Sequence, residues 1–546
     1  MSRRVLIVGG VAGGASAAAR LRRLDETAEI ILFDRGPHVS FANCGLPYYV
    51  GDVIQQEQKL LVASRELFRD RFAIDVFTET EALAIDRAAR TLQVRDLRTG
   101  AVRDERWDAL VLAPGAAPFR PPAPGVDLPG VFVVRTIADA NRIRAWIDDR
   151  APQRAVVVGG GFIGLEMAEN LAHRGLDVTV LEKLPQVMPP LDAEMAETVA
   201  AGLRARGLHL RLGEGFRAIS QAGASLVVHT DADADLGADL VILALGVRPE
   251  TRLAADAGLR IGARGGIAVD AQLRTSDPDI YAVGDAIEVH DVVIGQETIL
   301  PLAGPANRQG RVVAEAIAGR PTRFRGVQGT AIVEVMGTTV ALTGASEKGL
   351  RRAGRADYAV VWLHPGHHAG YYPGAKPIHI KLIFSRTDGR ILGAQAVGAE
   401  GVDKRIDVVA TMIQLGGTVH DLAEAELCYA PQFGAAKDPL NVAGMMASNV
   451  LTGDMPLADW ADLPTTTAAL IDVREPDEFA RGHLPGALNL PLSTLRRELH
   501  RVPTGRPLWV YCAAGQRGYF AQRMLLQLGY DTKNLSGGYT TWLAHR

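Results

Sequence analysis

The sequence predicts an α/β protein of several domains, two of them built on parallel sheets that open onto glycine-rich turns. Two observations carry this. An order of strand, glycine turn, helix, strand and acid runs from Arg4 to Asp34 and recurs from Ala155 to Glu182. The chain is also 546 residues long, with 47% apolar and 22% charged residues. That is too long for one core and typical of a folded globular protein, so three or four domains are expected.

RVLIV (4–8) is a short apolar, β-branched run, the pattern of a buried parallel strand. Gly9, Gly10, Gly13 and Gly14 follow, then ASAAARLRRL, a run of good helix formers, and EIILFD, a strand ending at Asp34. In the second copy AVVVGG leads to GFIGLEMAENLAHRG and DVTVLE, with Gly159, Gly161 and Gly164 in the G-x-G-x-x-G spacing and Glu182 at the strand end. Such turns let phosphates approach the outward-pointing N–H groups of a helix start, and the acid accepts from a ribose hydroxyl. Glu182 would repel a 2′-phosphate, so among NAD(P)H cofactors NADH is favoured. The first turn has Val11 at the middle glycine position. Its support comes from Asp34, from the strand-ending Gly115 of WDALVLAPGAAPFRPP and from Asp285 at the end of DIYAVGD. Two dinucleotide sites, the first ringed by three strand ends, imply FAD served by a nicotinamide.

Further on, DLVILALGVRPE repeats the crossover of the first unit. Residues 326–450 alternate strand-like runs with one clear helix, VDKRIDVVATMIQLG, and lack a phosphate turn, the pattern of an α+β domain. Residues 451–464 read as a linker, and 465–546 as an independent small α/β domain. The boundaries expected are therefore 1–150 with 247–325 for the FAD domain and 151–246 for the NAD(H) domain, before those two.

The formal net charge of −3 gives no reason to expect nucleic-acid or membrane attraction, and no apolar run is long enough to span a bilayer. Cys44, Cys428 and Cys512 are far apart, without metal-ligand spacing. An odd, small count suits a reducing cytoplasm. Cys44 lies in SFANCGLPY. A lone cysteine is usually an inert core residue, but Asn43, Gly45 and Pro47 are poor core-strand residues. A thiolate there, beneath a flavin on the first unit, could exchange electrons with it.

Over residues 1 to about 450 the chain resembles the pyridine nucleotide-disulfide oxidoreductases, with two Rossmann-like, glutathione-reductase-like nucleotide domains and a dimerisation domain. SFANCGLPYYVGD resembles the single-cysteine branch: coenzyme A disulfide reductases, NADH oxidases and peroxidases, and sulfur or polysulfide reductases. Two-cysteine relatives carry C-x4-C here, and Tyr49 stands where the second cysteine would be. The resemblance implies a homodimer. It implies that Arg20, Arg23, Ser40, Asn43 and Lys437 bind coenzyme A, and that Tyr371 (or Tyr372) and Tyr429 assist catalysis, Tyr429 from the partner subunit. Cys428 is read as structural.

IDVREPDEFARGHLPGALNLP with VYCAAGQRG resembles a rhodanese domain. Cys512 ends a strand and opens the loop CAAGQR, whose backbone N–H groups can converge on one sulfur and stabilise a persulfide anion, with Arg517 adding positive charge. Asp472, Arg474 and His483 match positions that support that fold. The joined expectation is NADH-driven, flavin-dependent reduction of CoA persulfide, polysulfide or CoA disulfide through a Cys44–CoA mixed disulfide, with Cys512 carrying sulfane sulfur. The alternatives are an NADH oxidase or peroxidase with a Cys44 sulfenate, or a redox sensor or sulfur carrier without turnover.

Overall fold

The repeated apolar runs form two parallel sheets, as their pattern requires. This is a computed structural model, and it describes residues 3–545. The chain divides into two units, residues 1–185 with 208–327 and residues 186–207 with 328–546.

In the first unit, Arg4–Val8 pairs in parallel with Glu29–Phe33 on one side and Ala109–Leu112 on the other. The strand Ile280–Ala282 continues beyond Ala109–Leu112, and Asp75–Phe77 closes the far edge. The sheet therefore reverses its winding at Arg4–Val8, and the turns after the first strand, after Leu112 and after Ala282 lie side by side at its carboxyl edge. Ligands of open α/β sheets bind at such an edge. The second sheet repeats the plan, with Arg154–Val158 between Asp177–Glu182 and Leu240–Leu243. Val131–Phe132 pairs with Leu240–Leu243, so the second nucleotide domain recruits chain from before residue 151, the boundary expected from sequence. A hairpin-like crossover joins Ala116–Pro118 to Val247–Pro249.

In the second unit, five antiparallel strands lie in the order 331–335, 338–344, 391–398, 378–385 and 358–363. The helices Val402–Leu415 and Pro439–Leu451 pack on this sheet through apolar faces. The helix Ala193–Ala205, assigned from sequence to the NAD(H) domain, belongs to this unit. Its anchor is polar. Lys381, fully buried, sits 2.9 Å from Asp192 and 2.6 Å from Glu347 and also pairs with Glu194. Burial works against the ammonium, but the three carboxylates outweigh it and raise its pKa. Replacing Lys381 by methionine strands those carboxylates in a dry pocket. It is expected to destabilise the protein by about 3–5 kcal/mol, read as a lower urea midpoint, and Lys381→Met combined with Glu194→Gln should recover part of the loss.

Residues 469–472, 488–489, 508–511 and 532–534 form a four-stranded parallel sheet at the C-terminal end. The segment 451–464, expected as a linker, is packed onto it. Met455 and Trp460 are buried, Leu457 bridges to Asn534, and the Trp460 indole donates to Ser536 O at 3.1 Å. Apolar side chains in this stretch cover the sheet's edge, so it cannot hang free. The last helix, Gly538–Ala544, and the turn before it are tied to strand 358–363 and its end: the Trp362 amide donates to Ser536 Oγ at 3.0 Å, and His364 Nε2 lies 2.8 Å from Thr541 Oγ1. Burial and the neighbouring His379 hold the His364 pKa down to about 3, so this imidazole packs neutral.

Candidate active sites

The two glycine turns are built alike. Gly14 and Gly164 sit so close to the preceding strand that an added Cβ would lie 1.9 Å from the carbonyl oxygen of Gly9 and of Gly159, which only glycine permits. At each strand end the acid fastens its own turn. Asp34 accepts from the Gly10 and Gly36 amides, both at 2.8 Å. Glu182 accepts from Gly160 N at 2.7 Å and Leu184 N at 2.8 Å. A Cβ on Gly161 would meet nothing within 4 Å. The helix start there is open, as a pyrophosphate requires.

Around the first turn, Gly13 lies against Val283, and Gly115 has only the Arg135 guanidinium near its Cβ position. Gly284 donates to Gln309 Oε1 at 2.7 Å and so fixes the turn that carries Asp285. Burial raises the pKa of both Asp34 and Asp285, and the charge of Arg135 opposes this at each. Arg135 is thus a cation shared by the strand ends. It pairs with Glu250, which also binds Arg35 at 2.6 Å. Sequence reading missed Arg135 because it lies outside both repeated modules. Gly246 is open at the corresponding strand end of the second sheet, and the repeated crossover pattern could have located it.

The cysteine loop is clamped to this edge. The Ser40 amide donates to Gly10 O at 2.7 Å, and its carbonyl accepts from Val62 N at 2.8 Å. Ser40 holds a left-handed φ of 46° to do so. Asn43–Gly45 then forms a single tight turn leading into the short helix Leu46–Val50, with Asn43 and Cys44 both exposed. Partial burial of the thiol pushes its pKa up, and the carboxylates of Glu166 and Asp285 add to the effect. Glu166, reached by the Tyr48 hydroxyl at 3.1 Å, comes from the helix of the second glycine turn. Cys44 therefore lies within electrostatic reach of residues from both nucleotide modules. Glu166 carries no motif of its own and was missed for that reason.

Tyr49, where a second cysteine would stand, is taken up by packing. It is buried, with its hydroxyl 3.0 Å from Asn141 Oδ1 and the Arg144 guanidinium 4.4 Å from its ring centroid. The place of a second cysteine is thus filled by packing against helix Ile137–Arg150.

Arg20 and Arg23 differ in circumstance. Arg20 is half-enclosed and pairs with Glu315 at 2.7 Å, so a phosphate would have to compete with that carboxylate. Arg23, the cap after helix Ala12–Arg22, is exposed.

In the second unit the Tyr371 and Tyr429 hydroxyls are 2.6 Å apart. That hydrogen bond raises the pKa of the exposed Tyr371. Their segments are held together by a hydrogen bond from Ala369 N to Gly434 O at 2.8 Å. A buried arginine reinforces this. Arg405 Nη2 donates to His367 O at 2.7 Å and to Asp438 Oδ2 at 2.9 Å, spanning both segments. Tyr371 is the phenol paired with Tyr429; Tyr372 instead packs its edge against His368. Lys437 and Cys428 are exposed, so Cys428 plays no part in a core.

Cys512 lies at the end of strand Leu508–Tyr511 and is buried. The Gly515 amide donates to its sulfur at 3.1 Å, just before helix Gln516–Gln527 begins. The loop is backed by the last helix: Tyr539 N donates to Cys512 O at 2.8 Å and Thr540 N to Ala513 O at 3.0 Å. Arg517 makes a two-point ion pair with Glu478, at 2.6 and 2.7 Å. Asp472 and Arg474 pair in the interior at 2.7 Å, and His483 stacks on Phe479.

Comparison with known proteins agrees with this architecture. Residues 3–310 match the pyridine nucleotide-disulphide oxidoreductase family, 330–438 its dimerisation domain and 457–545 the rhodanese-like domain. The coenzyme A disulfide reductase of Staphylococcus epidermidis is 36% identical over 445 residues, 81% of this chain and 99% of that protein. The crystal structure of reduced Bacillus anthracis CoADR-RHD covers 100% of this chain and 98% of its own, with a TM-score of 0.98 at 46% identity. The NAD-dependent persulfide reductase from A. fulgidus covers 99% of this chain and 100% of its own, with a TM-score of 0.92 at 37% identity. The chain belongs to the pyridine nucleotide-disulphide oxidoreductases, enzymes that use FAD and NAD(P)H, and carries a C-terminal rhodanese domain.

Proposed function

We propose that the protein reduces sulfur–sulfur bonds of coenzyme A persulfide, coenzyme A disulfide or polysulfide at Cys44, with NADH favoured as reductant and with Cys512 carrying sulfane sulfur. The observation that supports this best is Cys44 itself: exposed and within electrostatic reach of Glu166 and Asp285, one from each nucleotide module, with Tyr49 buried where an internal disulfide partner would stand. Its partner sulfur must therefore come from a substrate.

The glycine turns, Asp34, Asp285 and Arg135 suit FAD at the first sheet, and Gly159, Gly161, Gly164 and Glu182 suit a nicotinamide dinucleotide at the second. FAD, when bound, supplies a two-electron relay from NAD(P)H to the sulfur at position 44. Cys44 attacks one sulfur of the substrate. With CoA disulfide, the Cys44–S–S–CoA bond forms as CoA thiolate leaves. With CoA persulfide, the same bond forms and hydrosulfide leaves. An electron pair then cleaves the mixed disulfide, and a proton completes the released CoA thiol. Because burial, Glu166 and Asp285 hold the Cys44 proton, the attacking thiolate has to be formed against them.

Arg23, Asn43 and Lys437, exposed and polar, and Arg20 if released from Glu315, provide contacts for the coenzyme. The match to the dimerisation domain supports a homodimer, in which the Tyr371–Tyr429 pair serves the partner subunit's Cys44 and can protonate a leaving thiolate. No helix among the described residues is long and apolar enough to cross a membrane. Thiol chemistry at free cysteines favours a cytoplasmic setting.

Mass spectrometry of the holoenzyme tests the reading. Incubation with CoA disulfide without NADH should place one CoA on the Cys44 peptide, and polysulfide should add sulfur to the Cys512 peptide. NADH consumption driven by oxygen alone, with Cys44 oxidised to a sulfenate and no CoA adduct, would make the protein an oxidase instead.

A further inference from the structure

The loop Cys512–Arg517 contains one cation, Arg517, and that cation is already engaged. Both its terminal nitrogens donate to Glu478, Nη1 to Oε2 at 2.6 Å and Nη2 to Oε1 at 2.7 Å. Glu478 comes from the short helix Pro476–Ala480, far from the loop in sequence. Arg517 holds the Glu478 carboxyl down to about 2, so the pair stays closed through the neutral range. Arg517 stands in the first turn of helix Gln516–Gln527, directly after Gly515, whose amide donates to Cys512 Sγ at 3.1 Å, and this puts the pair beside the reacting atom. Arg474, the other arginine that acts on Glu478, is itself closed on Asp472 with two bonds at 3.0 Å and one at 2.7 Å. Positive charge next to the cysteine is therefore matched by carboxylate.

We infer that Glu478 is a specificity-determining residue: by neutralising Arg517 it makes Cys512 take sulfur from persulfides in preference to dianionic thiosulfate. The inference rests on Cys512 being a sulfur carrier, as proposed above. The physical reason is the location of donor charge. Thiosulfate carries both negative charges within a few ångströms of the sulfur it gives up, and it must approach a thiolate. Like charges at that range repel unless a free cation compensates them. With thiosulfate, the Cys512 thiolate attacks the outer sulfur, a Cys512–S–S bond forms, and the S–S bond to the donor breaks with its electron pair leaving on sulfite. With a persulfide the outer sulfur is transferred in the same way, the leaving group is a thiolate that takes up a proton, and the persulfide anion stays on Cys512. The second route brings one charge fewer to the site.

The test uses the full-length holoenzyme with cyanide as sulfur acceptor, and with thiosulfate or the persulfide of 2-mercaptoethanol as donor. In Glu478→Gln the kcat/KM ratio of thiosulfate to persulfide should rise by about tenfold or more. Glu478→Asp, which keeps the charge, should return most of the way to the original ratio. In the unaltered protein, thiosulfate kcat/KM should increase with ionic strength, because screening weakens a net repulsion. The latter measurement needs no variant and so does not depend on Glu478→Gln folding. Disulfide reduction at Cys44 in the same preparations reports that the rest of the chain is intact. An unchanged donor ratio, a parallel fall with both donors, or a thiosulfate rate that drops with salt would overturn the inference. Absence of transfer from either donor in the unaltered protein would instead sink the sulfur-carrier reading of Cys512, and the inference with it.

Discussion

A Cys44→Ser variant is expected to lose NADH-dependent reduction of CoA disulfide and polysulfide by about a thousandfold or more, the scale seen when a covalent nucleophile is removed. Serine fills nearly the same space, so the turn Asn43–Gly45 and its tie through Ser40 to Gly10 should survive. What is lost is an atom able to form and break an S–S bond. Two measurements separate chemistry from folding. The variant should still bind FAD, and anaerobic NADH should still bleach its absorbance. Addition of CoA disulfide should then fail to restore the colour. Full retention of disulfide and polysulfide reduction in this variant would end the claim that Cys44 is the receiving sulfur.

The second large effect is the converse. Cys512→Ser is expected to lower sulfane-sulfur transfer to cyanide by about a thousandfold or more, while CoA disulfide reduction continues at the original rate. The buried position of Cys512 and its bond from Gly515 N leave serine a tolerable replacement sterically. Polysulfide turnover discriminates between two arrangements. If sulfur passes through Cys512 on its way to Cys44, turnover falls with donors that load the rhodanese domain. If turnover stays intact with every donor, the transfer role is wrong and the two cysteines work separately.

Much of this was legible in the chain itself. The β-branched runs, the spacing of Gly159, Gly161 and Gly164, and the acids Asp34 and Glu182 are local patterns, and backbone sterics with hydrogen bonding leave them few outcomes. The absence of a second cysteine was legible by counting, since Tyr49 occupies its place. Boundaries fared less well. Val131–Phe132 joins the second sheet, the helix Ala193–Ala205 belongs with the antiparallel sheet, and residues 451–464 are packed rather than free. Each of those assignments depends on which distant surface a short amphipathic stretch covers.

The sequence by itself thus determined the two nucleotide modules, the lone cysteine of the SFANCGLPY loop and the cysteine loop of the rhodanese domain, because glycine conformation, strand period and cysteine count act within a few residues. Only the tertiary structure decided which charges are free. Arg20 meets Glu315, Arg517 meets Glu478, Lys381 gathers Asp192, Glu194 and Glu347, and Arg135 meets Glu250. These partners lie tens to hundreds of residues apart. An ion pair is chosen by packing and desolvation rather than by sequence neighbourhood, so a basic residue in a motif can turn out to be already neutralised.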